Sequence, residues 1–250
     1  VRFRDYLSLL MVIILGFIIF QAFTVGNENS LSIPEFGKAN LENRVSENYI
    51  NKSVNTENES LTFNETENPE SGSANFVTSI IANYRALDTL GEVTVLFIAA
   101  AGLAFVLGGN QENYAFKDDA SFIVRTGVKI IFPLMFLLGI YIVVHGHLTP
   151  GGGFQGGAVI ATAVLLKFLA YKDYKLNHTG LSLLESFAGI SFLLIGLVGL
   201  LTNGSFLTNF LNNGTLGTLF SAGIIPVVYI LIGIKVGAEL SGIISNLINA

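Results

Sequence analysis

The chain has 250 residues, 51% of them hydrophobic and only 12% charged, where a soluble domain carries roughly 25% charged residues. This excludes an ordinary soluble domain and indicates a polytopic membrane protein; the net charge of −5 arises mainly from one polar segment, and no nucleic-acid partner is expected. The absence of cysteine excludes disulfides, thiolate metal sites and Cys-ligated clusters within the chain, and His145, His147 and His178 are too scattered for a metal centre.

Arg2 and Arg4 precede an apolar run from Tyr6 to Val25, about the 20 residues needed to cross the hydrocarbon core. It exceeds the apolar core of a signal peptide, about 7–15 residues, and lacks a small-x-small site after it. Residues 1–25 are therefore expected to form an uncleaved anchor with its N-terminus inside. Residues 26–75 read as a polar exterior loop, rich in Asn, Glu and Ser, too poor in apolar side chains to offset the entropy of ordering and in part mobile. It holds the sequons at Asn51, Asn58 and Asn64.

Phe76, Val77, Ile80, Ile81, Tyr84 and Leu87 fall on one helical stripe. The spacing predicts a short interfacial helix over Phe76–Leu87, then a break at Asp88–Gly91, then a span over Val93–Leu107. One continuous helix from Phe76 would be about 48 Å long, too long to cross without interruption. After a polar connection, residues 120–250 read as a four-helix membrane domain. Its spans are expected at Phe122–Val144 with a kink at Pro133, Phe154–Tyr171, Leu181–Leu201, and Leu216 to Ile234 or beyond with Pro226 inside.

Between the first two of these lies His145-Gly-His-Leu-Thr-Pro-Gly-Gly-Gly-Phe-Gln-Gly-Gly157. Pro150 removes a donor and pushes Thr149 out of the helical region, so one helix should end near His147 and the next begin near Phe154. Pro150, Gly151, Gly152, Gly153, Gly156 and Gly157 form the structural loop. Beside lipid, freed backbone groups survive only within protein or along a wet cavity. Two readings stand: a broken-helix element lining an ion or water path, or a tight exterior hairpin packed under another helix.

The fold class is thus an all-α integral membrane protein of about six transmembrane helices, with a polar extracellular loop and a short interfacial helix. Counted from an inside N-terminus, Arg2, Arg4, Lys117, Arg125, Lys172, Lys175 and Lys235 fall inside, and the short outer loops carry neither Lys nor Arg. Both termini would be cytoplasmic, in the cell membrane, with the sequons Asn203 and Asn213 outside.

Ionisable residues within spans are costly unless paired or wet, and mark functional positions. Asp88 and Glu92 lie four apart, on one helical face. Thr89 and Glu92 also form a capping box, as do Ser182 and Glu185 at the fifth span; for Glu185 capping is the preferred reading. Lys129 lies about one turn into its span, where it snorkels or marks a path. Lys235 and Glu239 read as a plain surface i, i+4 pair. His145 and His147 suit proton relay near neutral pH or interfacial anchoring.

Asn83-Tyr-Arg-Ala-Leu-Asp-Thr-Leu-Gly-Glu-Val-Thr-Val-Leu96 resembles the last part of the large A subunit of Mrp-type multisubunit sodium/proton antiporters, as in the small E-type component of archaeal membrane-bound hydrogenase. His145 to Gly157 with its flanking spans resembles the MnhB domain, the B subunit of the same antiporters and the F-type component of that hydrogenase. The first piece spans residues 76–110. The resemblance implies a part in moving Na⁺ or H⁺ within a large complex, and it places Asp88 and Glu92 on the ion path, with Lys129, His145 and His147 as further candidates. It implies pumping subunits of the A and D kinds as partners, and small subunits of the C, E, F and G kinds. Hydrogenase-like or sulfane reductase subunits join them if the host is redox-driven. The chain itself would be no enzyme and hold no cofactor. Two functions remain to be separated: a subunit contributing to the cation path, and a non-conducting subunit that docks neighbouring pumping subunits.

Overall fold

A computed structural model describes residues 60–107 and 119–249, together with positions 10, 12–14, 16, 17, 20 and 49. Residues 1–48 and 49–250 are separate units. The expected anchor lies largely outside the described residues, but its described positions are helical. The sequons Asn51 and Asn58 also lie outside them.

In the second unit, α1 covers Phe76–Ser79 and runs into a π-helical turn, Ile80–Tyr84. Five long helices follow: α2 Ala86–Leu107, α3 Phe122–Val144, α4 Gly153–Ala170, α5 His178–Asn203 and α6 Ile225–Asn249. All five are long and apolar enough to cross a membrane. The chain is an all-α, multi-pass membrane protein, and the five spans among the described residues match the expected second to sixth.

The last helix is the hub. It packs against α2, α3, α4 and α5, and half of its spanning window is buried, against 6% for α2. Small residues permit this. A side chain on Gly157 would come within 2.9 Å of Val236 Cβ and 3.0 Å of the Gly233 carbonyl, so α4 and α6 meet backbone to backbone.

Helix boundaries depart from expectation in three places. The break falls at Arg85 (φ −124°, ψ 36°), not at Asp88–Gly91. There the Arg85 amide donates to the Ile80 carbonyl at 2.8 Å, and the wide turn frees the Ile81 carbonyl, which accepts from Thr89 Oγ1 at 2.8 Å. Thr89 is therefore inside α2 and caps no helix, because one of its turns already precedes it. Likewise Asn177 caps α5, its side chain accepting from the Gly180 amide at 3.0 Å, which places Ser182 and Glu185 within the helix. The last span begins at Ile225 rather than Leu216, with Pro226 in the first turn, where a missing amide donor costs nothing.

The stripe on Phe76–Leu87 faces outward. Val77, Ile81 and Leu87 are exposed, whereas Thr78, Ser79, Ala82 and Ala86 are buried. Apolar side chains face outward because the surroundings of this protein are apolar too, and hydroxyls turn inward to backbone carbonyls.

The described part of the polar segment is folded, not unpacked. Glu67 bridges Thr215, the Asn64 amide donates to Leu216, the Leu216 amide to Thr66, and the Asn68 amide to Gly214. Asn213 Nδ2 donates to the carbonyls of Pro69 at 2.9 Å and Glu70 at 3.3 Å. Its order comes from hydrogen bonds to residues 209–222, a source that apolar content does not reveal. Asn203 and Asn213 both use their side-chain nitrogens within the fold. Residues 62–75 and 204–224 together form a clasp over one end of the bundle.

Candidate functional site

The glycine loop accounts for its freed backbone through the clasp. After α3 ends at Val144, the His147 carbonyl accepts from Ser73 Oγ at 2.6 Å and from the Asn75 amide at 2.9 Å. The Gly146 carbonyl accepts from Thr78 Oγ1 at 2.7 Å and Asn75 Nδ2 at 3.0 Å, and Asn75 Nδ2 also reaches the Thr149 carbonyl at 3.0 Å. Gly152, with φ 150°, turns the chain into α4. The loop is thus a tight hairpin, and its side facing α6 also lines a cavity.

That cavity, about 210 Å³, lies among Asn75, Thr78, Thr89, Glu92, Gln155 and Tyr229. Glu92 is exposed toward it from the second turn of α2. Asp88 points away into an exposed pair with Arg85. His145 stacks on Tyr141 with ring centroids 4.2 Å apart, and its Nδ1 lies 3.1 Å from the Tyr141 carbonyl. His147 is fully buried. Its ring nitrogens make no close hydrogen bond among the described residues, and the backbone of Thr218 and Leu219 lies beside the ring. Burial holds its pKa below the ordinary histidine value, and that backbone opposes the shift. Neither histidine lines the Glu92 cavity. Lys129 is exposed at the opposite end of the bundle.

A second set of charges sits in the middle of the bundle. Lys235 Nζ on α6 lies 3.3 Å from Glu185 Oε1 on α5 and 3.6 Å from Glu239 Oε2, one turn further along α6. Phe97 of α2 closes the group, its ring centroid 4.9 Å from Lys235 Nζ. Lys235 and Glu239 are 9% and 3% exposed, so the expected surface pair is in fact buried. The reason is that α6 packs against α2, α3, α4 and α5, so both side chains lie between spans. Two carboxyl groups share one ammonium, so with both ionised one negative charge would be left over. Neither Glu239 oxygen has a hydrogen-bond partner among the described residues. Buried charges are tolerated only when paired and solvated by dipoles, so one of the two carboxyl groups carries a proton or takes a cation.

A groove of about 280 Å³ leads away from it between α2, α5 and α6. It is lined by Glu185, Glu239, Ser182, Asn246 and His178, with Ala100, Ala101 and Ala104 giving room on α2. His178, at the start of α5, stands at the end away from the clasp, with Nε2 3.3 Å from Ser245 Oγ. Sequence reasoning placed Glu185, Lys235 and Glu239 in structural roles. The signal that singles them out is their depth: each lies well inside an apolar run of span length.

Comparison with known proteins gives two family matches. Residues 123–242 match the model described as a domain related to the MnhB subunit of Na⁺/H⁺ antiporters, and residues 39–108 match MbhE, the E-type component of MBH. An uncharacterized protein of Methanocaldococcus jannaschii is 36% identical over 194 residues, covering 67% of this chain and 74% of the relative. A chain of the membrane-bound sulfane sulfur reductase, an archaeal respiratory membrane complex, superposes over 100% of both chains with TM-score 0.68 and 36% identity. In the Mrp complex from Dietzia, a chain matches over 99% of this one and 26% of its own length, with TM-score 0.63 and 21% identity, a likeness of fold.

Proposed function

From the premise that the chain belongs to the family of MnhB-related antiporter subunits, with an MbhE-type segment fused ahead of the MnhB domain, we propose that it carries a cation station at Glu185, Lys235 and Glu239. The chain is an antiporter-type membrane subunit of a larger complex. Na⁺ and H⁺ are the ions such a module exchanges, and the chain performs no redox chemistry of its own.

The observation that carries this reading is the buried carboxyl group of Glu239, which shares the Lys235 ammonium with Glu185 and has no hydrogen-bond partner among the described residues. A site holding one charge too few takes up H⁺ or Na⁺ and releases it when Lys235 shifts its weight between Glu185 and Glu239. The polar groove toward His178 supplies approach from one end. On the other side, Glu92 and its cavity form a vestibule. Between the two levels α6 carries Ile232 and α2 carries Val93, both buried, so the vestibule and the station are separated by an apolar layer. Alternate access across that layer is what an exchanger requires.

The exposed apolar face of α2, with Val95, Ile98, Phe105 and Val106, supports a docking role beside the conducting one. Partner subunits of the Mrp kind would cover it. In either host, free antiporter or sulfane reductase-like, residues 62–75 face the exterior and the groove opens to the cytoplasm.

Infrared difference spectroscopy on the assembled complex tests the station. Switching between Na⁺-free and Na⁺-containing buffer should change a carboxylic-acid C=O band that Glu239→Gln abolishes and Glu92→Gln leaves in place. A Na⁺-dependent spectrum identical in wild type and Glu239→Gln refutes the assignment.

A further inference from the structure

The end of the bundle away from the clasp holds a pocket that the cation station does not use. It is about 410 Å³ in volume, between α3 and α4, and its walls are Lys129, Phe132, Pro133, Lys167, Tyr171 and Tyr174. Lys167 Nζ lies 4.0 Å from the Phe132 ring centroid and 5.5 Å from that of Tyr174. These rings fix the ammonium at the mouth without neutralising it. Neither lysine forms an ion pair among the described residues. The described acids of this end do not serve them: Asp119 is taken by Arg125 Nη1 at 3.1 Å and by the Lys172 amide at 3.1 Å, and Asp173 is no part of the pocket wall.

Depth decides the ligand. Lys129 is seven residues into α3, about 10 Å along it, and Lys167 is three residues from the end of α4, about 5 Å. From such depths lysine stems run along apolar surface and turn their ammonium groups toward headgroup phosphate. Beyond the lysines, the α3 surface continues as Ile130, Leu134 and Leu137, all about 60% exposed, a surface for acyl chains. Tyr171 and Tyr174 stand at the rim, where aromatic residues with a polar tip collect.

We propose that this pocket binds the phosphodiester headgroup of an anionic phospholipid, held between Lys129 and Lys167 with its chains along α3. Two unpaired cations facing one opening match a diffuse anion with several oxygens. The neighbouring apolar strip selects a lipid over free phosphate.

Native mass spectrometry on the full chain in a neutral detergent reads this directly. Phosphatidylglycerol, phosphatidylcholine and inorganic phosphate are titrated separately. Phosphatidylglycerol should bind roughly tenfold or more tightly than the other two. Lys129→Gln with Lys167→Gln should erase that preference, Lys129→Arg with Lys167→Arg should keep it, and Lys172→Gln with Lys175→Gln should leave it unchanged. Equal retention of phosphatidylglycerol by the wild type and the double Gln variant overturns the proposal. So does inorganic phosphate binding as well as the lipid. So does exclusion of lipid in the assembled complex by a partner carboxylate that cross-links to Lys167.

Discussion

Lys235 reaches Glu185 across the α5–α6 interface at 3.3 Å, joining two residues fifty positions apart in the centre of an apolar bundle. Among the described residues Glu239 is the other charged group beside them, so the three stand or fall together. Removing the ammonium alone strands the buried carboxyl group of Glu239 and the partly buried one of Glu185. Lys235→Met should therefore lower stability by about 3–5 kcal/mol, and adding Glu239→Leu to it should recover a large part of the loss. Thermal unfolding of the purified chain in detergent measures both, and additive losses would mean that the two side chains are not coupled.

The α4–α6 contact gives a second test. A Cβ on Gly157 would lie 2.9–3.0 Å from Val236 Cβ, the Gly233 carbonyl and the Gly237 amide, all of them groups that cannot turn aside. Gly157→Val should force the helices apart and abolish the stable chain, whereas Gly102→Val, at a glycine with open space around it, should be tolerated. Expression and monodispersity in detergent distinguish the two.

The clasp predicts local protection. Asn213 Nδ2 donates to two carbonyls, and its Oδ1 accepts from Asn209 Nδ2 at 2.7 Å. Asn213→Ala removes these bonds at about 0.5–1.5 kcal/mol each, while the Pro69 carbonyl keeps the Gly72 amide at 3.0 Å and Asn209 Nδ2 keeps the Ala222 carbonyl at 3.4 Å. Hydrogen exchange over residues 64–75 should be slow in the wild type and accelerate in the variant. Fast exchange in both would show that the clasp does not hold the segment.

His147 makes the clasp sensitive to acid. Its folded pKa is lowered from the ordinary 6.5 by burial, so the folded loop prefers the neutral ring. Below pH 6.5 the released loop takes up a proton that the folded one does not, and stability falls as pH drops toward the folded pKa. The limit is about 1.4 kcal/mol per pH unit for one group. Melting temperature should fall between pH 7.5 and 5, and His147→Gln should flatten that dependence. An unchanged slope would mean that His147 does not set it.

The spans are legible in the sequence because apolar runs of bilayer length leave little choice: Phe122–Val144 matches its expected bounds to the residue. Short polar signals beside them mislead. Thr89-x-x-Glu92 and Ser182-x-x-Glu185 have the spacing of capping boxes, yet helices that start a turn earlier turn them into interior residues. Lys235 and Glu239 read as a surface pair because spacing shows which residues share a face and not which faces are enclosed. That knowledge comes from α6 being the hub. The order of residues 62–75 stays hidden because its partners, residues 209–222, are more than a hundred positions away.

The proposed station stands on Glu239 taking part in cation exchange. The measurement is Na⁺-driven proton movement in proteoliposomes carrying the fully assembled complex with Glu239→Gln, compared with wild type. Glutamine fills the same space and cannot take or release a proton or balance a cation. Loss of exchange is expected, with every partner subunit still present. Exchange at the wild-type rate and with the wild-type pH dependence would contradict it.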